Sequence, residues 1–442
     1  MAVSDLPLGT TILTGLIAVL VYGLNKMIQQ RRFYKDFPTP PHSFLWGHLN
    51  LMGEIMGFLP SARKYDMPGV FYLDLWPASC GQVVVTDPDV AMQMTVTRNF
   101  PKHEIESWFI DPPIGPGNIV TTNGPRWKYL HKIMRPMVAA KVMKFRSIVH
   151  KKVDSGEAFR LEELTQHLTF DIATLSDNID LSEKRGLGIM YLILREHLDE
   201  MRQSKKQELD AKFLQDAITQ VKTLLIAGTR TTSDTICFGA MLLSVHPEII
   251  QRMREEHNRV FTPGTDATYE LLTADPYKLK ELTYTTNVIK EVLRFYPIGN
   301  IVREGVESIT YQGREWPTKG LMICPVQMTV HMDPKIFPNQ LKFDPDRYTR
   351  EDFPHHAWRP FERGPRACLG QPLAIEELMI TFLLITRDFD FTCANLKPNK
   401  TPRVGWTDLD LTFGDRAFQE FVFEANSRNG MLMTVKESNW SS

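Results

Sequence analysis

No charged residue falls between Leu6 and Asn25, and Ile12, Leu13, Leu16, Ile17, Val19, Leu20 and Val21 make the stretch apolar. About 20 such residues are the length of one bilayer-spanning helix. Lys26, Arg31, Arg32 and Lys35 follow, and basic residues on that side predict that everything downstream stays cytosolic. A cleaved signal peptide is the competing reading, yet the start has no basic cluster and no small-x-small cleavage site. Phe37-Pro38-Thr39-Pro40-Pro41 then excludes helix, because each proline removes an amide donor and holds its predecessor extended. The pattern divides the chain into an anchor at 6–25, a basic and proline-rich hinge at 26–47, and one long unit over 48–442.

Within that unit, Phe71, Leu73 and Leu75 share one face and Val83 to Val85 follow beyond Pro77 and Gly81, which predicts a small hairpin. Helical periods are predicted over 188–205, 211–245 and 284–295, the last ended by Pro297. A further apolar-rich run through Leu373, Ile375, Leu378, Phe382 and Ile385 begins behind Pro372, a residue suited to a first helical turn.

Charge and composition narrow the classes. The 442 residues carry 51 basic and 52 acidic side chains, a net charge of −1, which gives no footprint for nucleic acid. No repeat, charge block or Gly/Ser-rich linker follows the proline segment, so one large domain is expected. Five cysteines, at 80, 237, 324, 368 and 393, show no Cys-x-x-Cys spacing, which argues against a zinc site or a disulfide scaffold and for a reducing compartment. Gly186-x-Gly188 lacks the third glycine of a dinucleotide loop, and neither His-Glu-x-x-His nor Gly-x-Ser-x-Gly occurs.

The chemistry concentrates in Phe361-Glu-Arg-Gly-Pro-Arg-Ala-Cys-Leu-Gly370, where Cys368 stands just before the predicted helix. Free amide N–H groups and the positive end of a helix favour a thiolate there, and Gly364 and Gly370 let a flat group approach the backbone. A lone cysteine is otherwise most often a small buried hydrophobe. The pattern Phe361-x-x-Gly364-x-Arg366-x-Cys368-x-Gly370 resembles the haem-binding signature of cytochromes P450 at every fixed position. That resemblance implies a mainly α fold with a smaller β part, near 70–86 and 300–325, behind a single N-terminal transmembrane helix. It implies haem b (iron protoporphyrin IX) held by Cys368 as the axial thiolate, Arg366 on a haem propionate and Phe361 packed near the sulfur.

Other stretches continue the likeness, in the family's order. Trp127 and His131 resemble the Trp-x-x-x-Arg pair that reaches the propionates, with histidine in place of arginine and so without the fixed charge and fork; on residues alone, Trp127 also suits a helix core. Ala227-Gly228-Thr229-Arg230-Thr231-Thr232 resembles the oxygen-binding helix, in which Gly228 and Thr231 shape a local bulge and Thr231 relays a proton to bound dioxygen. Taken by itself, such a threonine bonds its own helix backbone. Arg230 stands where the family usually has Asp or Glu, and a permanently protonated group cannot serve as the acid of a relay. Glu291-x-x-Arg294 and Arg347 resemble the buried network that locks the cysteine loop, a structural role, and Arg303 resembles another propionate contact. The departure is between Asp171 and Asp216, where 45 positions leave room for one clear helix instead of the two that usually roof the substrate pocket.

The resemblance implies NADPH- and O2-dependent oxidation of a hydrophobic small molecule in secondary metabolism, with electrons from NADPH-cytochrome P450 reductase, with or without cytochrome b5, at the endoplasmic reticulum membrane. Arg230 and the shortened stretch leave alternatives open: a P450-like isomerase, dehydratase or desaturase, or an inactive haem-binding relic.

Overall fold

The computed structural model describes residues 8–51, 62, 64–121, 123, 139–174, 211–299, 301–404, 407–421 and 425–439. The apolar run is helix α1 (Leu8–Tyr34), which continues through the basic residues as one element. Its side chains from Ile12 to Leu24 are mostly exposed, and among the described residues it is the one helix long and apolar enough to cross a membrane. Its far end is fastened. Tyr34 and Arg31 are buried; Arg31 pairs with Asp74 and donates to the carbonyls of Phe44 and Leu45, both at 3.0 Å. The proline-rich segment is strapped down by its carbonyls, which prolines keep. Pro38 O accepts Tyr72 N–H at 2.9 Å, Pro40 O bonds His48 Nε2 at 3.1 Å, and the Phe37 ring lies 4.6 Å from that of Tyr72.

The expected hairpin is β1 (Val70–Leu73) and β2 (Gln82–Val85). With β3 (Arg303–Glu304) and β4 (Met322–Pro325) it makes one sheet, ordered β1-β2-β4-β3, in which only β2 and β4 are parallel. The continuous apolar runs of β1, β2 and β4 suit a sheet buried on both faces.

The helical part comprises α2 (Ile105–Ile114), α3 (Ala139–Ser155), α4 (Leu161–Thr174), α5 (Ala211–Leu243), α6 (Pro247–Val260), α7 (Thr283–Phe295) and α8 (Gln371–Thr386). The observed α5 and α7 fall within two residues of the sequence expectation at each end. The helix expected over 188–205 lies outside the described residues.

The main core gathers around α5, α7 and α8, with Phe238, Met241, Val288, Val292, Phe382 and Leu383 among its buried members. Each such side chain contributes about 1.5–3 kcal/mol by leaving water. Gly239 sets the spacing: a Cβ there would fall 2.6 Å from the Phe382 ring. That close approach seats α5 against the helix that begins three residues after Cys368.

Candidate functional site

Cys368 is held by its own loop. Its N–H donates to the Phe361 carbonyl at 2.8 Å, and Ala367 N–H to the Gly364 carbonyl at 3.0 Å. The amides of Gly370 and Gln371, at the start of α8, donate to the sulfur, and the residue is exposed. The two amides act in the expected direction, but burial opposes them. Burial raises the Cys368 pKa above the ordinary thiol value and outweighs the two amides and nearby Lys102, which lower it. A metal ion deprotonates such a ligand on binding.

The loop can take this shape because Gly364 has φ +85° and a Cβ there would sit 2.2 Å from the Thr95 carbonyl oxygen. Two buried ion clusters fix it. In the first, Arg359 Nε donates to Glu362 Oε2 at 3.1 Å, its Nη2 to Thr95 Oγ1 at 3.0 Å, and Gln327 Nε2 to Glu362 Oε1 at 3.1 Å. In the second, Glu291 accepts from Arg294 at 2.8 and 2.9 Å and from Arg347 at 3.0 Å, all three fully buried. The clusters are connected. Arg294 Nη1 donates to the His331 carbonyl at 2.8 Å, and the Arg359 N–H donates to His331 Nε2 at 3.1 Å. The three network residues read from the sequence therefore meet, whereas Arg359, Glu362 and His331 carried no spacing that would have marked them.

Beside the sulfur lies a concentration of positive charge. Arg303 is fully buried, and none of its three guanidinium nitrogens has a hydrogen-bond partner among the described residues. Arg366 donates to Asn123 Oδ1 and Val120 O, each at 3.1 Å. Lys102, missed in the sequence, bridges to Arg303 through the backbone and holds Glu106 at 2.9 Å. Burial depresses the pKa of all three cations, Arg366 to about 10; Arg303 also lowers Lys102 and Arg366, and Arg359 lowers Arg303. Lys102 is paired with Glu106, whereas the Arg303 guanidinium makes no hydrogen bond among the described residues. A haem carries two propionates, so this donor set and the sulfur fit that cofactor. Trp127 and His131 lie outside the described residues.

Across the core, α5 presents small residues. Ala227 is exposed, a Cβ on Gly228 would meet nothing within 4 Å, and Thr231 is half-buried. The helix runs through Gly228 as regular α-helix, and Thr231 Oγ1 donates to the Ala227 carbonyl at 2.6 Å. Arg230 faces α4, where Nη2 lies 3.5 Å from Glu162 Oε1.

The family model described as Cytochrome P450 matches residues 164–411. The chain is 28% identical over 453 residues to cytochrome P450 monooxygenase PC-20 of Penicillium crustosum, covering 93% of each. It is 25% identical over 501 residues to cytochrome P450 monooxygenase polC of Polytolypa hystricis, covering 90% of this chain and 89% of that one. The crystal structure of the cytochrome P450DA heme domain matches with a TM-score of 0.68 at 21% identity, over 91% of this chain and 97% of that chain, a likeness of fold. With a match over more than half its length, the chain belongs to the cytochrome P450 family of haem-thiolate monooxygenases.

Proposed function

We propose that the protein oxidises a hydrophobic small molecule of secondary metabolism, drawing electrons from NADPH through a membrane-bound reductase. When bound, haem supplies the activation of dioxygen. Cys368 would ligate the iron, and Lys102, Arg303 and Arg366 would hold the propionates. Phe361, through its carbonyl, and Gly370, through its amide, keep the cysteine in place. Thr231 and the open strip at Ala227 and Gly228 would bound the side where substrate and oxygen meet. The single observation that carries the reading is the sulfur of Cys368 receiving two helix-end amides near the buried Arg303, whose guanidinium makes no hydrogen bond among the described residues.

The exposed apolar length of α1 supports a single-pass anchor, with the catalytic domain on the cytosolic face of the endoplasmic reticulum. Because α1 is fastened at Arg31 and Tyr34, the domain's attitude to the bilayer follows the helix. Substrate entry beside a bilayer favours apolar molecules.

The test is the spectrum of the reduced, carbon monoxide-bound protein together with turnover. A thiolate-type band lost in Cys368→Ala, and product formation that requires NADPH and reductase, are expected. Persistence of the band in Cys368→Ala would remove the assignment. Arg230 in place of an acid favours a second reading, an isomerase or dehydratase, and turnover without NADPH, reductase and dioxygen would establish it.

A further inference from the structure

Residues 115–121, which follow α2, lie against α5, and one buried side chain clamps them there. Gln220 of α5 is 3% exposed. Its Oε1 accepts the Ile119 N–H at 3.0 Å and its Nε2 donates to the Gly117 carbonyl at 3.1 Å, so the amide pairs with the backbone on either side of Asn118 much as a neighbouring strand would. The approach is close because Gly115 and Gly117 take φ +117° and +78°, and a Cβ on Gly115 would come 2.9 Å from Oγ1 of Thr219, the residue before Gln220.

Asn118, fully buried, turns the chain after the clamp. Its Oδ1 accepts the N–H groups of Val120 and Thr121, both at 3.1 Å, and its Nδ2 donates to Asp111 Oδ1 at 2.8 Å and to the Gly115 carbonyl at 3.0 Å. That turn sets the direction of the Val120 carbonyl, which accepts Arg366 Nη2 at 3.1 Å. Arg366 Nη1 donates to Asn123 Oδ1, which also accepts the Lys102 N–H at 3.2 Å. A run of printed bonds thus leads from α5 through Ile119 and Val120 to the arginine two positions before Cys368. The same helix carries Gly228 and Thr231.

We propose that Gln220 is a positioning residue for the oxidation: by clamping 117–119 to α5 it aims the Val120 carbonyl at Arg366, and so holds that guanidinium in place for a haem propionate. The inference rests on the haem-thiolate reading given above, in which Arg366 holds a propionate. A guanidinium on a long stem meets a carboxylate in one geometry only if its remaining N–H groups are already held. Burial, ahead of repulsion by Arg303 and against attraction by Glu106, lowers the Arg366 pKa to about 10, and a propionate would offset both unfavourable effects.

The experiment uses the full-length holoprotein and reads two quantities, the rate of haem release to apomyoglobin and the ferric/ferrous reduction potential. Gln220→Met keeps the length of the side chain and removes both hydrogen bonds. Its release rate is expected to rise about tenfold, the scale of losing one bond at a charged group. Its potential is expected to fall, because a guanidinium that is no longer held compensates a propionate less. Arg366→Gln is expected to release haem at least as fast. The double variant should be no faster than Arg366→Gln alone, since Gln220 acts through Arg366.

Wild-type release and potential in Gln220→Met overturn the proposal, and so do effects of the two substitutions that multiply in the double variant. Should Gln220→Met fail to fold, Gln220→Glu takes its place: it keeps an acceptor for Ile119 and loses the donor to Gly117, a smaller rise is expected, and wild-type release again overturns the proposal. If Arg366→Gln itself releases haem at the wild-type rate, the propionate contact falls and the inference falls with it. If Arg366→Gln is faster and the Gln220 variant is not, the clamp alone is wrong.

Discussion

Arg347 reaches Glu291 across 56 positions of chain, Nε donating to Oε1 at 3.0 Å with both side chains fully buried. The same oxygen accepts the Asp344 N–H at 3.0 Å, and Tyr348 Oη donates to Oε2 at 3.2 Å. Through Arg294, His331 and Arg359 this carboxylate is linked to the cysteine loop. Removing it strands two buried guanidinium groups, which costs about 3–5 kcal/mol. Glu291→Ala is expected to unfold at lower urea and to carry less haem per protein. A fully loaded variant with the wild-type urea midpoint would show that the loop is locked by Arg359 and Glu362 alone.

Arg303 gives two effects of opposite sign. Its guanidinium is buried without a hydrogen-bond partner among the described residues, and burial pulls its pKa down. Replacing such a group by a well-packed apolar one stabilises by about 1–4 kcal/mol. Arg303→Met is expected to stabilise the haem-free protein in urea while weakening haem retention against apomyoglobin as a scavenger. Equal haem release rates in the two proteins would contradict a propionate contact at this position.

Gly364 tests the loop backbone. A left-handed residue with a Cβ costs about 1–2 kcal/mol, and here the Cβ would also overlap the Thr95 carbonyl at 2.2 Å. Gly364→Ala is expected to lose the thiolate-type carbon monoxide band even where α-helical circular dichroism is retained. Gly228→Ala is the comparison. Its Cβ meets nothing within 4 Å, and it sits in a regular helix where alanine is favoured by about 1 kcal/mol, so it should fold at least as well as the wild type.

The sequence made the helices legible because their apolar period and their ends are local: Pro372 in the first turn of α8 and Pro297 beyond α7 needed no tertiary information. Cys368, Glu291, Arg294 and Arg347 were readable through motif spacing, and the last three meet. Lys102 was not, since its meaning comes from a bridge to Arg303, about 200 positions away. Nor were Asp234 and Ser427, paired across 193 positions by a carboxylate and an amide that follow no period. The helix-end donors to Cys368 were visible in sequence, but the desolvation that opposes them is a property of the packed site.

Three histidines set the acid limit of the fold. Burial first depresses His48 to about 4 and His257 and His331 to about 3. A histidine whose folded pKa lies below its unfolded 6.5 contributes stability that is complete above that value and is lost as pH falls toward the folded one. Each adds a slope of about 1.4 kcal/mol per pH unit between 6.5 and 4. Asp234, raised to about 7, acts in the opposite sense throughout that window, being protonated in the folded chain while its unfolded counterpart is ionised. His331 is the most consequential of the three, because its Nε2 accepts the Arg359 N–H beside the cysteine loop, and a protonated imidazole accepts nothing. His331→Gln keeps an acceptor that does not titrate. Its urea midpoint, followed from pH 7 to 4, is expected to fall with a slope smaller than the wild type's by about one proton, and its haem to be retained to lower pH. Identical pH profiles for the two proteins would mean that His331 takes up no proton on unfolding.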